Sequence, residues 1–295
     1  MMMEDWSMGV LKSCLLDLLR ELEDKNFPLI LCGGFGLYLK QLDLQERGDN
    51  YHPLLPNEQW PRPRTTSDLD ILIRTEILVD TERFKLLRGI LDNLGYKPIP
   101  GAEYMQFVRR LNNGNDVKAD LLTGPVATTL VNKLNIGDRR IRPAEQSVGL
   151  HAYRTDEAVG FQENMQTIQI EGYCTDQRPY RNSISVPQAV TFLMMKLFAF
   201  RDRNQDPDKD FARHHAMDIY RVVAMLDHDE FRQTRSAICD YWDRDVVQEA
   251  GKLVNEHFSE STALGLIRLR EHDLFDSEMD VQEFSRALAD LFAKP

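Results

Sequence analysis

The sequence predicts an α+β protein, with a mixed sheet flanked by helices over residues 1–180 and an all-helical domain over 181–295. Two observations carry this expectation. Short apolar or alternating runs bounded by glycine and turn residues recur through the first 180 residues, interleaved with segments of helical spacing. From Pro187 onward the apolar positions follow helical spacing almost throughout, broken only by short loops. With 295 residues, 42% of them hydrophobic, the chain is long enough for one large domain or two ordinary ones, each with its own core.

In order, "MGVLKSCLLDLLRELE" (8–23) has the spacing of an amphipathic helix. "FPLILCGG" reads as a short buried strand ending in glycines, and "FGLYLKQL" resumes helical spacing. Residues 42–64 are polar and proline-rich, without a period, and predict a loop or insertion. "SDLDILIRT" alternates as a strand, with Asp68, Asp70 and Leu72 on one face and Leu69, Ile71 and Ile73 on the other. A helix over about 80–94 closes at Gly95. "EYMQFVRRL" and "DVKADLLT" form two strands around the turn "NNGN". Residues 124–164 show no clear pattern, and "MQTIQIEG" is a further strand. Helices are expected at "FARHHAMDIYRVVAML", "DEFRQTRSAICDYW", "VVQEAGKLVNEHF", "TALGLIRLREH" and "VQEFSRALADLFAK", after one that starts near Pro187.

Charge narrows the function. The net charge is −11 and evenly spread, which argues against wide, non-specific wrapping of duplex nucleic acid. Small basic patches remain at Arg139, Arg140 and Arg142 and at Arg201 and Arg203, each able to hold an RNA end or a nucleotide. Four scattered cysteines, with no C-x-x-C pair, indicate neither a zinc site nor a disulfide framework and suit a reducing compartment. The acidic start "MMMEDW" lacks a basic leader and no apolar run reaches spanning length, so a cytoplasmic protein without membrane contact is expected.

Three fragments carry chemistry. Gly33 and Gly34 stand between a strand and a helix, where phosphate can approach the backbone and meet free N–H groups; a plain turn is the alternative. Asp68 and Asp70, two apart on a strand, project from one face. On a strand this apolar, unpaired acids are costly, which favours a site for one or two Mg²⁺ ions held against a triphosphate over a solvated edge. Lys118 and Asp120 again share a face of a later strand. Asp120 supplies the third carboxylate that two-metal phosphoryl transfer requires, or a general base for an acceptor hydroxyl. Lys118 either neutralises phosphate or pairs with Asp116 or Asp120. Ser67, beside the acids, joins the glycines as a phosphate contact. Lys196, on an apolar helix, needs an anionic partner, either a triphosphate or a carboxylate. His214 and His215 are neighbours on a helix and point apart, which suits packing rather than shared metal binding.

A GG turn opening a helix, then [ST]-D-x-D on a strand, then a lone Asp on a later strand resembles the nucleotidyltransferase superfamily of the DNA polymerase β type. More narrowly, "GGFG", "RTTSDLD" (an R-x-T-x-D-[LI]-D) and "KAD" resemble the AbiEii-like nucleotidyltransferases, which include the toxins of AbiE and MenT toxin–antitoxin pairs. The resemblance touches residues 29–226 through these short motifs. It implies a nucleotidyltransferase-fold sheet, a nucleoside triphosphate, Mg²⁺ on Asp68, Asp70 and Asp120, and transfer of a nucleoside monophosphate, in some members to the 3′ end of tRNA. A cognate antitoxin protein is an implied partner. The resemblance also places Arg64, Thr66, Lys196 and Arg201 against the nucleotide. For the family's later lysine and Asp-rich motif, "KDFARHHAMDIYRVVAML" supplies Lys209, Asp210 and Asp218, with the two acids eight residues apart. Two rival expectations stand beside this one: a nucleotidyltransferase whose acceptor is a small molecule or a protein side chain, and a non-catalytic module that holds a nucleotide or a partner.

Overall fold

The computed structural model describes residues 6–64, 66–144 and 149–295. The acidic residues at the very start, and Thr65 within "RTTSDLD", lie outside that set. The chain is α+β and divides into two compact units. The first comprises residues 1–39, 65–156 and 164–187; the second comprises 40–64, 157–163 and 188–295.

The first unit is a ten-stranded mixed sheet. Its strands are β1 (Ile30–Cys32), β2 (Asp68–Leu72), β3 (Lys97–Pro98), β4 (Gln106–Arg110), β5 (Asp116–Thr123), β6 (Leu134–Ile136), β7 (Arg140–Pro143), β8 (Ala152–Arg154), β9 (Gln166–Tyr173) and β10 (Pro179–Val186). The order is β6-β7-β8-β5-β2-β1-β10-β9, with β4 also bonded to β5 and β3 to β4. Parallel pairing joins β2 to β5, β5 to β8 and β1 to β10; the other pairs are antiparallel.

Alternation decides what each face does. Leu69 and Ile71 of β2, Val117, Ala119 and Leu121 of β5 and Phe107 of β4 are all buried. Helices α1 (Trp6–Leu22) and α4 (Thr81–Asn93) cover this apolar face. Arg109 of β4 donates to Asp17 of α1 at 2.7 Å, and Arg88 of α4 lies over the Phe107 ring at 5.2 Å. Each fully buried Leu on this interface contributes on the order of 2 kcal/mol. The opposite face carries Asp68, Asp70, Gln106, Lys118 and Asp120 and remains partly open. Helix α4 begins at an N-cap, Asp80, whose carboxylate accepts the Arg83 N–H at 3.1 Å, and ends before Gly95, whose φ is +83°. A short helix, α3 (Thr75–Val79), precedes it.

The second unit is helical: α5 (Ala189–Arg203), α6 (Arg213–Ala224), α7 (His228–Asp240), α8 (Asp245–Phe258), α9 (Leu264–Arg270) and α10 (Val281–Leu291). Helix α2 (Gly33–Glu46) passes from the first unit into the second along the chain. The proline-rich stretch after it is ordered within the second unit. Leu54 N–H donates to the Leu226 carbonyl at 2.6 Å, and the Tyr51 hydroxyl donates to the Met225 carbonyl. Trp60 is buried and donates to the Leu55 carbonyl at 2.9 Å. No helix among the described residues is long and apolar enough to cross a membrane.

Candidate functional site

Strand β2 lies between β1 and β5, so its two carboxylates sit in mid-sheet. In the parallel β2–β5 ladder Asp68 stands beside Lys118 and Asp70 beside Asp120. In the antiparallel β4–β5 hairpin Gln106 stands opposite Asp120. Directly paired residues share a face and sit about 5 Å apart. The three acids of the sequence expectation are therefore neighbours on one face, with Asp120 between Asp70 and Gln106.

The glycine turn abuts them. Gly33 has φ +67°, and a Cβ placed on it would fall 1.7 Å from Asp70 Oδ2. Only glycine lets the chain leave β1, enter α2 and still leave room for that carboxylate. Cys32, cross-strand from Asp70, donates its thiol to the Asp70 carbonyl at 3.4 Å. Gly34 follows in the first turn of α2, where backbone N–H groups have no intrahelical acceptor.

The carboxylates differ in their surroundings. Asp68 Oδ1 accepts the Ser67 hydroxyl at 2.9 Å. Asp120 Oδ2 accepts from Gln106 Nε2 at 3.0 Å, while its Oδ1 is buried without a partner. Burial, and next the charge of Asp70, push the Asp120 carboxyl up to about 6; the Gln106 hydrogen bond opposes this and Asp68 adds to it. Lys118 is exposed and, among the described residues, forms no ion pair, so its charge is available on the acid face. Thr66 is half-buried just before Ser67.

Among the described residues, no three His, Cys, Asp or Glu side chains converge as a ready metal shell. As they stand, Asp68 is turned to Ser67 and Asp120 to Gln106. The donor set nevertheless fits Mg²⁺. All three groups are hard carboxylate oxygens, two of them register partners, and one offers an orphaned buried oxygen beside a like charge.

Arg64, Lys196 and Arg201 belong to the second unit, and two of them meet there. Asp218 of α6 is fully buried; its Oδ2 accepts from Lys196 Nζ at 2.8 Å and from Arg64 Nη2 at 3.3 Å. Its Oδ1 accepts from Arg221 Nη1 at 2.7 Å. Burial alone would raise this carboxyl, but Lys196, Arg64 and Arg221 outweigh it and hold it well below the usual range. The anionic partner of Lys196 is thus a carboxylate. Arg201 pairs with Asp202 at 2.8 Å and lies over the Phe198 ring. Asp210 is paired with Arg213 at 2.9 Å and lies outside the Asp218 cluster. His214 and His215 have ring centroids 4.0 Å apart and pack on the same helix turn. Burial first, then Arg64, press His214 down to about 4; burial and Lys196 hold His215 well below its ordinary value.

Sequence reasoning missed Gln106 and Arg221. The first was within reach: the hairpin turn centres on Asn113, and counting outward sets Gln106 against Asp120. Comparison with protein-family models, with curated proteins and with solved structures gives no match to this chain.

Proposed function

We propose that the chain is a Mg²⁺-dependent nucleotidyltransferase that moves a nucleoside monophosphate from a nucleoside triphosphate to an acceptor hydroxyl, with an RNA 3′ end such as that of tRNA as acceptor. The single observation that carries the reading is the register of the acids: Asp70 beside Asp120 across parallel strands, Asp68 on the same face, and the Gly33 turn pressed against Asp70. The motif resemblance adds the further proposal that this activity serves as the toxin of a toxin–antitoxin pair.

Asp68, Asp70 and Asp120 would hold the metal, which when bound supplies Lewis-acid neutralisation of the triphosphate charge. Gly33 and Gly34 admit phosphate oxygens to the backbone N–H groups that open α2, and Ser67 adds a hydroxyl. Lys118 places a cation beside Asp68 for the charge that gathers on departing pyrophosphate. Asp120, whose carboxyl is raised toward neutrality, accepts the proton of the acceptor hydroxyl as that oxygen bonds to the α-phosphorus and pyrophosphate departs.

The test is incubation with each α-labelled ribonucleoside triphosphate, Mg²⁺ and bulk RNA. Label on RNA is the expected result. Label on a small molecule or on protein would move the acceptor to the rival class, which the net charge of −11 favours for cationic acceptors. Absence of transfer, together with no thermal shift from any Mg·triphosphate, would refute the enzyme reading.

A further inference from the structure

The face that carries the acids continues past Asp120. Tyr153 of β8 stands beside Leu122 of β5, and Arg140 of β7 stands opposite Tyr153. Side chains two apart on a strand share a face. Asp120 and Leu122, Tyr153, and Arg140 with Arg142 therefore line one side of the sheet, while Ile141 and Pro143 are buried on the other. At about 4.8 Å per strand, two strands across and two residues along, the Arg140 backbone lies roughly 12 Å from that of Asp120.

Next to these arginines is a stacked aromatic pair. The Tyr104 and His151 rings have centroids 4.5 Å apart and an interplanar angle of 27°, and the His151 N–H donates to the Tyr104 carbonyl at 2.8 Å. Tyr104 remains 43% exposed, so much of its side chain is accessible to solvent despite the stack. Burial, then Arg140 and Arg142, push His151 down to about 4, which leaves it an uncharged ring at neutral pH within the field of both arginines. Burial and then Asp120 raise the Tyr153 hydroxyl, with Arg139 opposing, so Tyr153 lies within the field of both the acid site and the basic edge. Among the described residues no carboxylate pairs with Arg139, Arg140 or Arg142. Asp138 and Asp156 lie nearby, but Asp156 is taken by Arg154 at 2.7 Å. Arginines with no ion-pair partner among the described residues stand out in a chain of net charge −11, and they repel the cationic acceptors that this charge would otherwise draw.

We propose that Arg140, Arg142, Tyr104 and His151 form the acceptor track of the acid site: the two arginines hold backbone phosphates of a single-stranded RNA end, and a base stacks on the exposed Tyr104 ring. The assignment rests on the nucleotidyltransferase reading of Asp68, Asp70 and Asp120. A guanidinium pair beside an exposed aromatic ring is the combination by which single strands are held with little sequence preference. The track is too narrow, and the rest of the chain too acidic, for a duplex lying across a broad basic surface.

The experiment measures binding of a fluorescein-labelled 12-nucleotide single-stranded RNA by anisotropy in EDTA, where no transfer takes place. Wild type, Tyr104→Ala and the double variant Arg140→Ala/Arg142→Ala are compared across salt. Thermal shift with Mg²⁺ and each ribonucleoside triphosphate is measured on the same preparations. Tyr104→Ala should weaken RNA binding about tenfold. The double variant should weaken it further and reduce the salt slope by about 1.4, the loss of two phosphate contacts. Both should keep the wild-type triphosphate shift. RNA binding equal in all three proteins, or absent from wild type, overturns the track even where the triphosphate shift persists. Loss of that shift in the arginine variant also overturns it, since the arginines would then serve the nucleotide. RNA binding that falls as expected in a protein with no triphosphate shift at all upholds the track and removes the nucleotidyltransferase reading instead.

Discussion

Replacing Asp120 with asparagine should stabilise the metal-free protein while abolishing transfer. The carboxyl is raised from 3.8 to about 6 by burial and by Asp70, so its ionised form is disfavoured in the folded chain. Two pH units at 1.36 kcal/mol each set a ceiling of about 3 kcal/mol. Partial exposure and screening reduce this to about 1–2 kcal/mol. Between pH 4 and 6 the folded chain retains a proton that the unfolded chain has lost, so this contribution to stability falls as pH rises through the window and stays lost above it. The asparagine side chain does not titrate and can still offer its carbonyl to Gln106. The difference between variant and wild type should therefore be near zero at pH 4 and reach its full size above pH 6. Urea denaturation of both proteins in EDTA at pH 4.5, 5.5 and 7 measures it, because titrations elsewhere cancel in the difference. Label transfer in Mg²⁺ should fall by several orders of magnitude. A variant that is active, or that loses about 3 kcal/mol at pH 7, would show Asp120 to be a structural ion-pair member and refute the reasoning.

Gly33→Ala combines a left-handed backbone penalty of about 1–2 kcal/mol with a Cβ in the space of Asp70 Oδ2, so transfer should collapse while urea denaturation shows only a modest stability loss. Asp218→Asn leaves Lys196 and Arg221 buried without an anion and should cost about 3–5 kcal/mol, whereas Lys196→Met keeps Asp218 on Arg221 and Arg64 and should cost less than that; denaturation midpoints rank the two. His214 is held neutral down to about pH 4, so the unfolded chain binds a proton there first and stability is lost as pH falls from 6.5 toward 4; His214→Leu should flatten that limb of a melting-temperature profile.

Much of the acid site was legible because strand alternation is a local property. Asp68, Asp70 and Asp120 followed from period two on runs whose other face is apolar, and β5 matches "DVKADLLT" residue for residue. Strand β10 has no signature in the sequence, because Tyr180, Arg181, Asn182 and Ser183 give no apolar alternation; its place comes from the backbone ladder to β9 and β1. Strands β6 to β8 are three or four residues long, too short for a period to declare itself. The stretch over 42–64 looked like an insertion because its order comes from backbone bonds to residues near 225 rather than from its own pattern. The partner of Lys196 was undecidable in sequence, since a triphosphate and a carboxylate make the same demand on a half-buried lysine. The fold supplied Asp218, one helix away.

Strand β5 hydrogen-bonds to β2 along one edge and to β4 and then β8 along the other. Opening it would cut the sheet in two, separating β2-β1-β10-β9 from β8-β7-β6. Amide protons of Ala119 and Leu121 should consequently exchange with solvent only when the whole unit unfolds, while those of Asn135 and Ile136, in the terminal strand β6, exchange by fraying. On this expectation Asp120 rides on the slowest-opening strand of its unit, and Asp68 and Asp70 on the strand bonded to it. Partial melting can strip the arginine edge from the chain's first unit, but the acids cannot be disordered without losing the sheet itself.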